Sequence, residues 1–333
     1  MTRFVVCGET LIDLVRSKEP AQGSFSTSWL ALSAGGPMNS AVALGRLGAD
    51  SHFLGRISKD AFGKQLRGHI LGADVELDLA TESSQATSIA VVSLDAKGVA
   101  SYTFHFAETA NFGWQPDDLP ELGEDDWLHI ASLACVVSPG AEVLLDWASR
   151  TRAGISYDIN VRPTVITDPE EYWEKVKPWL RAVGRRGGIV KASDEDIAFL
   201  AKAGAPTDDP VEIGARWVEK YGLSLAVLTL GPGGGLAISP GGVQTLVPGF
   251  PTVVADTVGA GDTFMAGFLD GYVNRQDGVE LSLTRGAAAA SIVCSRQGAD
   301  PPTTEETEAL MATRGDVGRT RQAAAAADWQ PSR

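Results

Sequence analysis

The chain has 333 residues, 44% of them hydrophobic and 21% charged, the balance of a globular protein with enough length for a sizeable core. Its net charge of −14 argues against a surface for nucleic acid or anionic membrane, which needs a basic face, yet leaves room for a local basic pocket holding a small anion. Cys7, Cys135 and Cys294 are widely spaced in apolar or small-residue company, fit neither a disulfide framework nor a zinc spacing, and read as reduced buried thiols.

In chain order, MTRFVVCGETLIDLV carries an apolar strand that polar residues interrupt too early for a signal h-region. No apolar run approaches the roughly 20 residues of a membrane helix, so a soluble, cytoplasmic protein is expected. The first strand ends at Gly8 and runs into a polar bend near Asp13. SFSTSWLALSA then alternates polar and apolar residues as a half-buried strand does. GGPMNSAVALGRLG predicts a helix starting at a double glycine, packed through Ala41, Val42, Ala43, Leu44 and Leu47. ATSIAVVSLDAKGVASYTFHF is the clearest hairpin, with β-branched and aromatic runs on either side of Asp95, Lys97 and Gly98.

From Trp127 the rhythm becomes strand and helix in alternation. WLHIASLA, GISYDIN, GGIVKAS and LAVLTLG are short apolar runs, separated by helical stretches such as AEVLLDWASR and PVEIGARWVEKYG. That rhythm predicts an α/β fold, a mostly parallel sheet sandwiched by helices. The N-terminal hairpin-like pieces fall outside it and predict a small antiparallel β lid, from about residues 14–34 and 86–107, on one domain spanning 1–312. The segment 313–333 lacks a durable apolar pattern and is expected to be a loose tail.

The stretch ADTVGAGDTFMAGFLDGYV, residues 255–273, changes character halfway along. Gly259, Ala260, Gly261 and Asp262, almost bare of side chain, stand directly before an apolar helix. The residues leave two readings open. One is a tight turn with Asp262 as helix N-cap. The other is an anion hole, backbone N–H groups at a helix start with a carboxylate beside them as base. No G-x-x-x-x-G-K-[ST] string and no protein-kinase signature occurs, and the lone Gly8 is not a dinucleotide-binding fingerprint. GPGGG at 231–235 is a weak signal alone.

AGGPMNSAVALGRLG and DTVGAGD together resemble the two signatures of the ribokinase-like (PfkB) carbohydrate kinase family. GETLIDL, DINVRP at 158–163, KASDED at 191–196 and TLGPGG at 229–234 extend the resemblance through most of residues 3–312, with the fructokinase-like branch the most similar. The resemblance implies an ATP-dependent sugar kinase with Asp262 as base and the amides of Gly259, Ala260 and Gly261 as the hole for the moving phosphoryl group. It implies that Asp13, Gly35, Gly36 and Asn39 hold the sugar, with Asp158, Asn160 and Arg162 beside them. Arg162 could bind phosphate or sugar, or pair with an acid.

On the nucleotide side it implies Ser193, Thr229, Gly231, Gly234 and Gly298. Asp256 and the carbonyl of Val258 match positions that hold a monovalent cation, K+, in relatives. Where many relatives have N-x-x-E, this chain has Ser193 and Asp196, so Asp196 is expected to reach Mg2+ through water. In YTFHFAETANFGW, Phe106 or Ala107 falls where an arginine serves 2-keto-3-deoxygluconate kinases. Fructose, phosphorylated on O6, is therefore the expected substrate, with 2-keto-3-deoxygluconate, ribose or a nucleoside as alternatives and His105 and Phe106 touching the sugar from the lid. A non-catalytic sugar-binding regulator on the same fold is the alternative of another class. Relatives dimerise through their lids, which implies a homodimer.

Overall fold

The computed structural model describes residues 1–17, 25–94 and 100–314. An eight-stranded sheet forms the centre, in the order Val243–Val247, Gly235–Ser239, Leu225–Thr229, Ile189–Ser193, Gly154–Asp158, Asp126–Ala131, Arg3–Cys7 and Asp50–Leu54. From Leu225–Thr229 to Asp50–Leu54 all pairings are parallel, and an antiparallel pair closes the other edge. The strands read as apolar runs because both faces are covered. Alternation divides them: Val5 and Cys7 enter one core with Leu128, Ile130, Ile155 and Tyr157, while Phe4 and Val6 enter the other with Met38, Leu44, Phe264 and Phe268. The α/β architecture expected from the strand–helix rhythm is the one observed.

Helices Gly36–Arg46, Ala260–Leu269 and Val279–Cys294 lie over the second core. Gly267 lets two of them approach closely, since a Cβ there would stand 3.1 Å from the Arg285 carbonyl oxygen. This seats the start of Ala260–Leu269 over the C-terminal ends of the parallel strands, where ligands collect in open α/β sheets.

A separate four-stranded sheet has the order Trp29–Ala34, Leu11–Arg16, Ile89–Leu94 and Ala100–His105. Its outer pairings are antiparallel, as expected of the lid, and the central pair, Leu11–Arg16 with Ile89–Leu94, is parallel. The reason lies at the base of the sheet. Asn111 accepts from the Thr10 N–H (3.2 Å) and donates to the Thr10 carbonyl (2.7 Å) and Ser88 Oγ (2.9 Å). It thereby pins two strands that leave the large domain in the same direction. The sheet also starts at Leu11 and not near residue 14, which places Asp13 inside a strand and not in a bend.

Asp95, Lys97 and Gly98 lie outside the described residues, as does the expected tail from 315 onward. Thr313 and Arg314 belong to a helical segment, 304–314, and not to a tail. The Arg314 guanidinium lies 3.8 Å from the centre of the Phe250 ring and donates to the Pro248 carbonyl at 2.6 Å.

Candidate active site

Gly259 caps helix Ala260–Leu269 in the left-handed conformation (φ 76°), with no side-chain capping bond. Asp262 is therefore the third helical residue and not the cap, so the N-cap reading of the sequence does not hold. The Ala260 N–H donates to the Thr257 carbonyl at 3.2 Å, whereas the N–H groups of Gly261 and Asp262 have no partner among the described residues. Of the hole expected from Gly259, Ala260 and Gly261, Ala260 closes the turn, the N–H groups of Gly259 and Gly261 have no partner among the described residues, and that of Asp262 joins them next to the carboxylate. Unpaired amides in a first helical turn, with the helix dipole behind them, suit an anion.

The Asp262 side chain is 7% exposed. Its Oδ2 accepts from Asn39 Nδ2 at 2.9 Å and its Oδ1 from Asn160 Nδ2 at 3.5 Å. Burial pushes its carboxyl above the ordinary value, opposed by the Asn39 bond and then by the Lys191 and Arg162 charges. Asn39 lies within helix Gly36–Arg46 and caps nothing, and its Oδ1 is buried without a partner. A buried unsatisfied acceptor beside a buried carboxylate invites a donor such as a ligand hydroxyl. Asn160 has φ 45°, and its Oδ1 accepts from Arg162 Nη1 at 2.5 Å. Gly36 keeps the gap open, because a Cβ there would stand 2.9 Å from Asn160 Nδ2 and 3.2 Å from Asp262 Oδ1. Gly35 answers a different constraint: at φ 125°, its Cβ would stand 2.6 Å from the Glu9 carbonyl oxygen.

Three expected sugar-side residues are placed differently. Asp158 is fully buried, and its Oδ2 accepts from Lys191 Nζ at 2.8 Å, so it supports the site from beneath and does not face a sugar. Phe106 packs edge-on against Phe112, ring centres 5.3 Å apart, and His105 is exposed; neither lines the groove beneath the small sheet. Asp13 does line it, with Tyr102, Asp256, Val258 and Gly298, in a cavity of about 870 Å³. Burial pushes Asp13 up to about 6, opposed by Arg162.

Ser193 and Thr229 are register partners at the ends of adjacent strands. Ser193 Oγ accepts from the Asp196 N–H at 3.0 Å as the cap of helix Asp194–Ala201. Asp196 spends both oxygens on backbone N–H groups, those of Val161 and Ser193, each at 2.7 Å. It is a strut tying the Asn160 loop to the helix cap. Gly231 (φ 53°) stands in open space after Thr229, where a ligand could approach its backbone. Gly234 instead is needed for packing, since its Cβ would stand 2.1 Å from the Val247 carbonyl oxygen. Asp256 accepts from the N–H groups of Val258 (3.1 Å) and Gly298 (3.0 Å), joining the two loops that close this end of the groove. Among the described residues no cluster of three or more His, Cys, Asp and Glu side chains could hold a metal ion, so Mg2+ bound here would take its ligands chiefly from phosphate and water.

The model of the pfkB family of carbohydrate kinases matches residues 1–306. The chain belongs to that family. As a pfkB carbohydrate kinase it is an ATP-dependent phosphotransferase with an alcohol group as acceptor. Its relatives include the fructokinase of Klebsiella pneumoniae, 32% identical over 80% of this chain and 83% of that one. The fructokinase of Rhizobium leguminosarum bv. trifolii is 34% identical over 80% of this chain and 78% of that one. Among solved structures, a Vibrio cholerae fructokinase double mutant bound to fructose, ADP and potassium superposes with a TM-score of 0.79 at 26% identity, covering 93% of this chain and 98% of that one. Xylella fastidiosa fructokinase with bound ATP gives 0.80 at 25% identity, covering 94% and 99%.

The sequence reading missed residues that this kinase buries under the site. Lys191 stands in KASDED, yet nothing in that string separates it from a solvated strand lysine. Glu9, in GETLIDL, is 1% exposed and accepts from the Leu133 and Ala134 N–H groups at 3.3 and 3.0 Å. Tyr102, in YTFHF, lines the groove where His105 was expected. Among the described residues no helix is long and apolar enough to cross a membrane.

Proposed function

We propose that this kinase transfers the γ-phosphoryl group of ATP to O6 of fructose, with Asp262 as general base. The observation that carries the proposal is the Asp262 carboxylate: buried, free of any capping bond, held by Asn39, and next to two unpartnered amides. The fructokinase relatives at 32 and 34% identity support the choice of sugar. So does the absence of an arginine at Phe106 or Ala107, since a buried sugar carboxylate without a cation would be costly.

The chemistry follows from the placement. Asp13 accepts hydrogen bonds from sugar hydroxyls on the side of the small sheet, and Asn39 Oδ1 accepts another from the opposite wall. Asp262 takes the proton of the attacking hydroxyl as the bond to phosphorus forms. The Gly261 and Asp262 amides point at the charge that gathers on the transferring group, where fixed dipoles lower the barrier more than water does. Ser193, Thr229 and the open backbone at Gly231 border the nucleotide. Asp256 and the Val258 carbonyl suit a K+ ion, whose role would be to set the loop carrying the amides. Mg2+ would neutralise phosphate charge. The small sheet acts as a lid that excludes water from the transfer. Trp29, Leu30 and Leu32 are 41, 54 and 43% exposed on its edge strand, Trp29 on one face and Leu30 and Leu32 on the other, an apolar edge suited to pairing two lids in a homodimer.

A coupled ADP-release assay over fructose, tagatose, ribose, 2-keto-3-deoxygluconate and a nucleoside tests the substrate, with fructose expected to give the highest kcat/KM. Asp262→Asn should lower kcat by about 10³-fold or more with fructose binding retained in calorimetry. Near-normal turnover of that variant would remove Asp262 from its role.

A further inference from the structure

Lys191 lies on strand Ile189–Ser193 and is 3% exposed. Its ammonium donates to Asp158 Oδ2 at 2.8 Å, and its remaining N–H bonds have no acceptor among the described residues. Asp158 Oδ1 is likewise buried without a partner. A Cβ built on Gly261 would stand 2.9 Å from Lys191 Nζ, so the ammonium sits directly beneath the first turn of helix Ala260–Leu269. Stability alone does not call for such a pair: replacing a buried ion pair by apolar groups of similar size is often neutral or favourable. What the pair does supply is direction: its ammonium end stands under the free amide of Gly261 and acts on Asp262 more strongly than the Asp158 carboxylate does, at a depth water does not screen.

We propose that Lys191 is a positioning residue for phosphoryl transfer: held by Asp158 under the Gly261 amide, its ammonium keeps the buried Asp262 carboxyl ionised and adds fixed positive charge to the phosphoryl hole. The inference rests on Asp262 being the base. Groups facing Asp262 from each neighbouring element are Asn39 from helix Gly36–Arg46, Asn160 and Arg162 from the loop after Gly154–Asp158, and Lys191 from the strand below. Helix Val279–Cys294 brings Arg285, but that guanidinium is directed at Asp270 and Asp277. Burial pulls the Lys191 ammonium down, yet Asp158, Asp196 and Asp262 outweigh it and hold the proton on. His129, on the same face of the sheet, is pushed down to about 3 by burial and by Lys191, so it stays neutral and adds no charge.

Lys191→Met alone strands a buried Asp158, so the decisive variant is the double Lys191→Met/Asp158→Asn, which removes the charge and its partner together. Asp262 is titrated in the substrate-free protein by carboxyl carbon-13 NMR, its resonance assigned by loss in Asp262→Asn. Its midpoint is expected to rise in the double variant by up to about one pH unit, since the lost ammonium favoured the charged carboxyl more than the lost Asp158 carboxylate opposed it. In the ADP-release assay with fructose and MgATP, the acid limb of kcat should move in the same direction, to higher pH, because activity grows as the base loses its proton. Lys191→Arg should restore the limb toward its original position. An unmoved Asp262 midpoint in the folded double variant overturns the proposal, as does a loss of kcat with the acid limb unchanged. Failure of the base assignment would look different: Asp262→Asn would stay active while the NMR midpoint still moved.

Discussion

Gly36→Ala separates chemistry from stability. Gly36 opens helix Gly36–Arg46, and its φ lies outside the left-handed region, so the backbone accepts alanine. In a helix interior that exchange gains up to about 1 kcal/mol, and less at a first position. The new methyl carbon would stand 2.9 Å from Asn160 Nδ2, 3.2 Å from Asp262 Oδ1 and 3.7 Å from Ser132 Cβ. The first contact is shorter than side chains tolerate, and the second is tight. Asn160 must move, and through its 3.5 Å bond it takes Asp262 with it by a few tenths of an ångström. Crowding costs about 1–3 kcal/mol, which the helix gain partly offsets, so the thermal midpoint should change by only a few degrees. Catalysis is less forgiving: a misplacement near 1 Å costs about 100-fold, and a smaller one about tenfold. The expected result is a ten- to hundredfold fall in kcat in the ADP-release assay, with the melting curve nearly unchanged. Activity within twofold of the parent, or a collapse of stability in place of kcat, would refute the reasoning.

Asp13 titrates near 6 in the folded protein, and its charged form grows as pH rises through that value. Fructose affinity measured by calorimetry should therefore weaken from pH 7.5 to 5.5, and Asp13→Asn should abolish that slope. An Asp13→Asn protein with the parent's pH dependence would rule the carboxylate out. Asp196→Ala removes the acceptor of two backbone N–H groups and should cost about 2–3 kcal/mol in denaturant unfolding; a change below about 0.5 would show that the strut carries no load. Gly68→Ala, in helix Ala61–Leu71 with nothing within 4 Å of the new methyl, should raise stability by up to about 1 kcal/mol, and a decrease would contradict the open space seen there.

Legibility in the sequence followed the range of the interactions. Strand and helix order was readable because alternation and helical periodicity are local consequences of which face is buried. The resemblance of AGGPMN and DTVGAGD to known signatures was likewise enough to single out Asn39, Asp256 and Asp262 as candidate site residues. The string DINVRP misled for Asp158, because alternation along a strand does not say which polar residue turns toward solvent and which is sealed under a helix.

The primary structure by itself determined the α/β class and the small-residue helix start at Gly259–Asp262, both of which depend on neighbours a few residues apart. Only the tertiary structure decided that Gly259, and not Asp262, caps the helix. It alone brought Asn39 against Asp262 across 223 positions and set Lys191 with Asp158 beneath Gly261. Those placements follow from how helices seat on the sheet, and the free energy of a buried charge is set by what surrounds it in space, which no local pattern records.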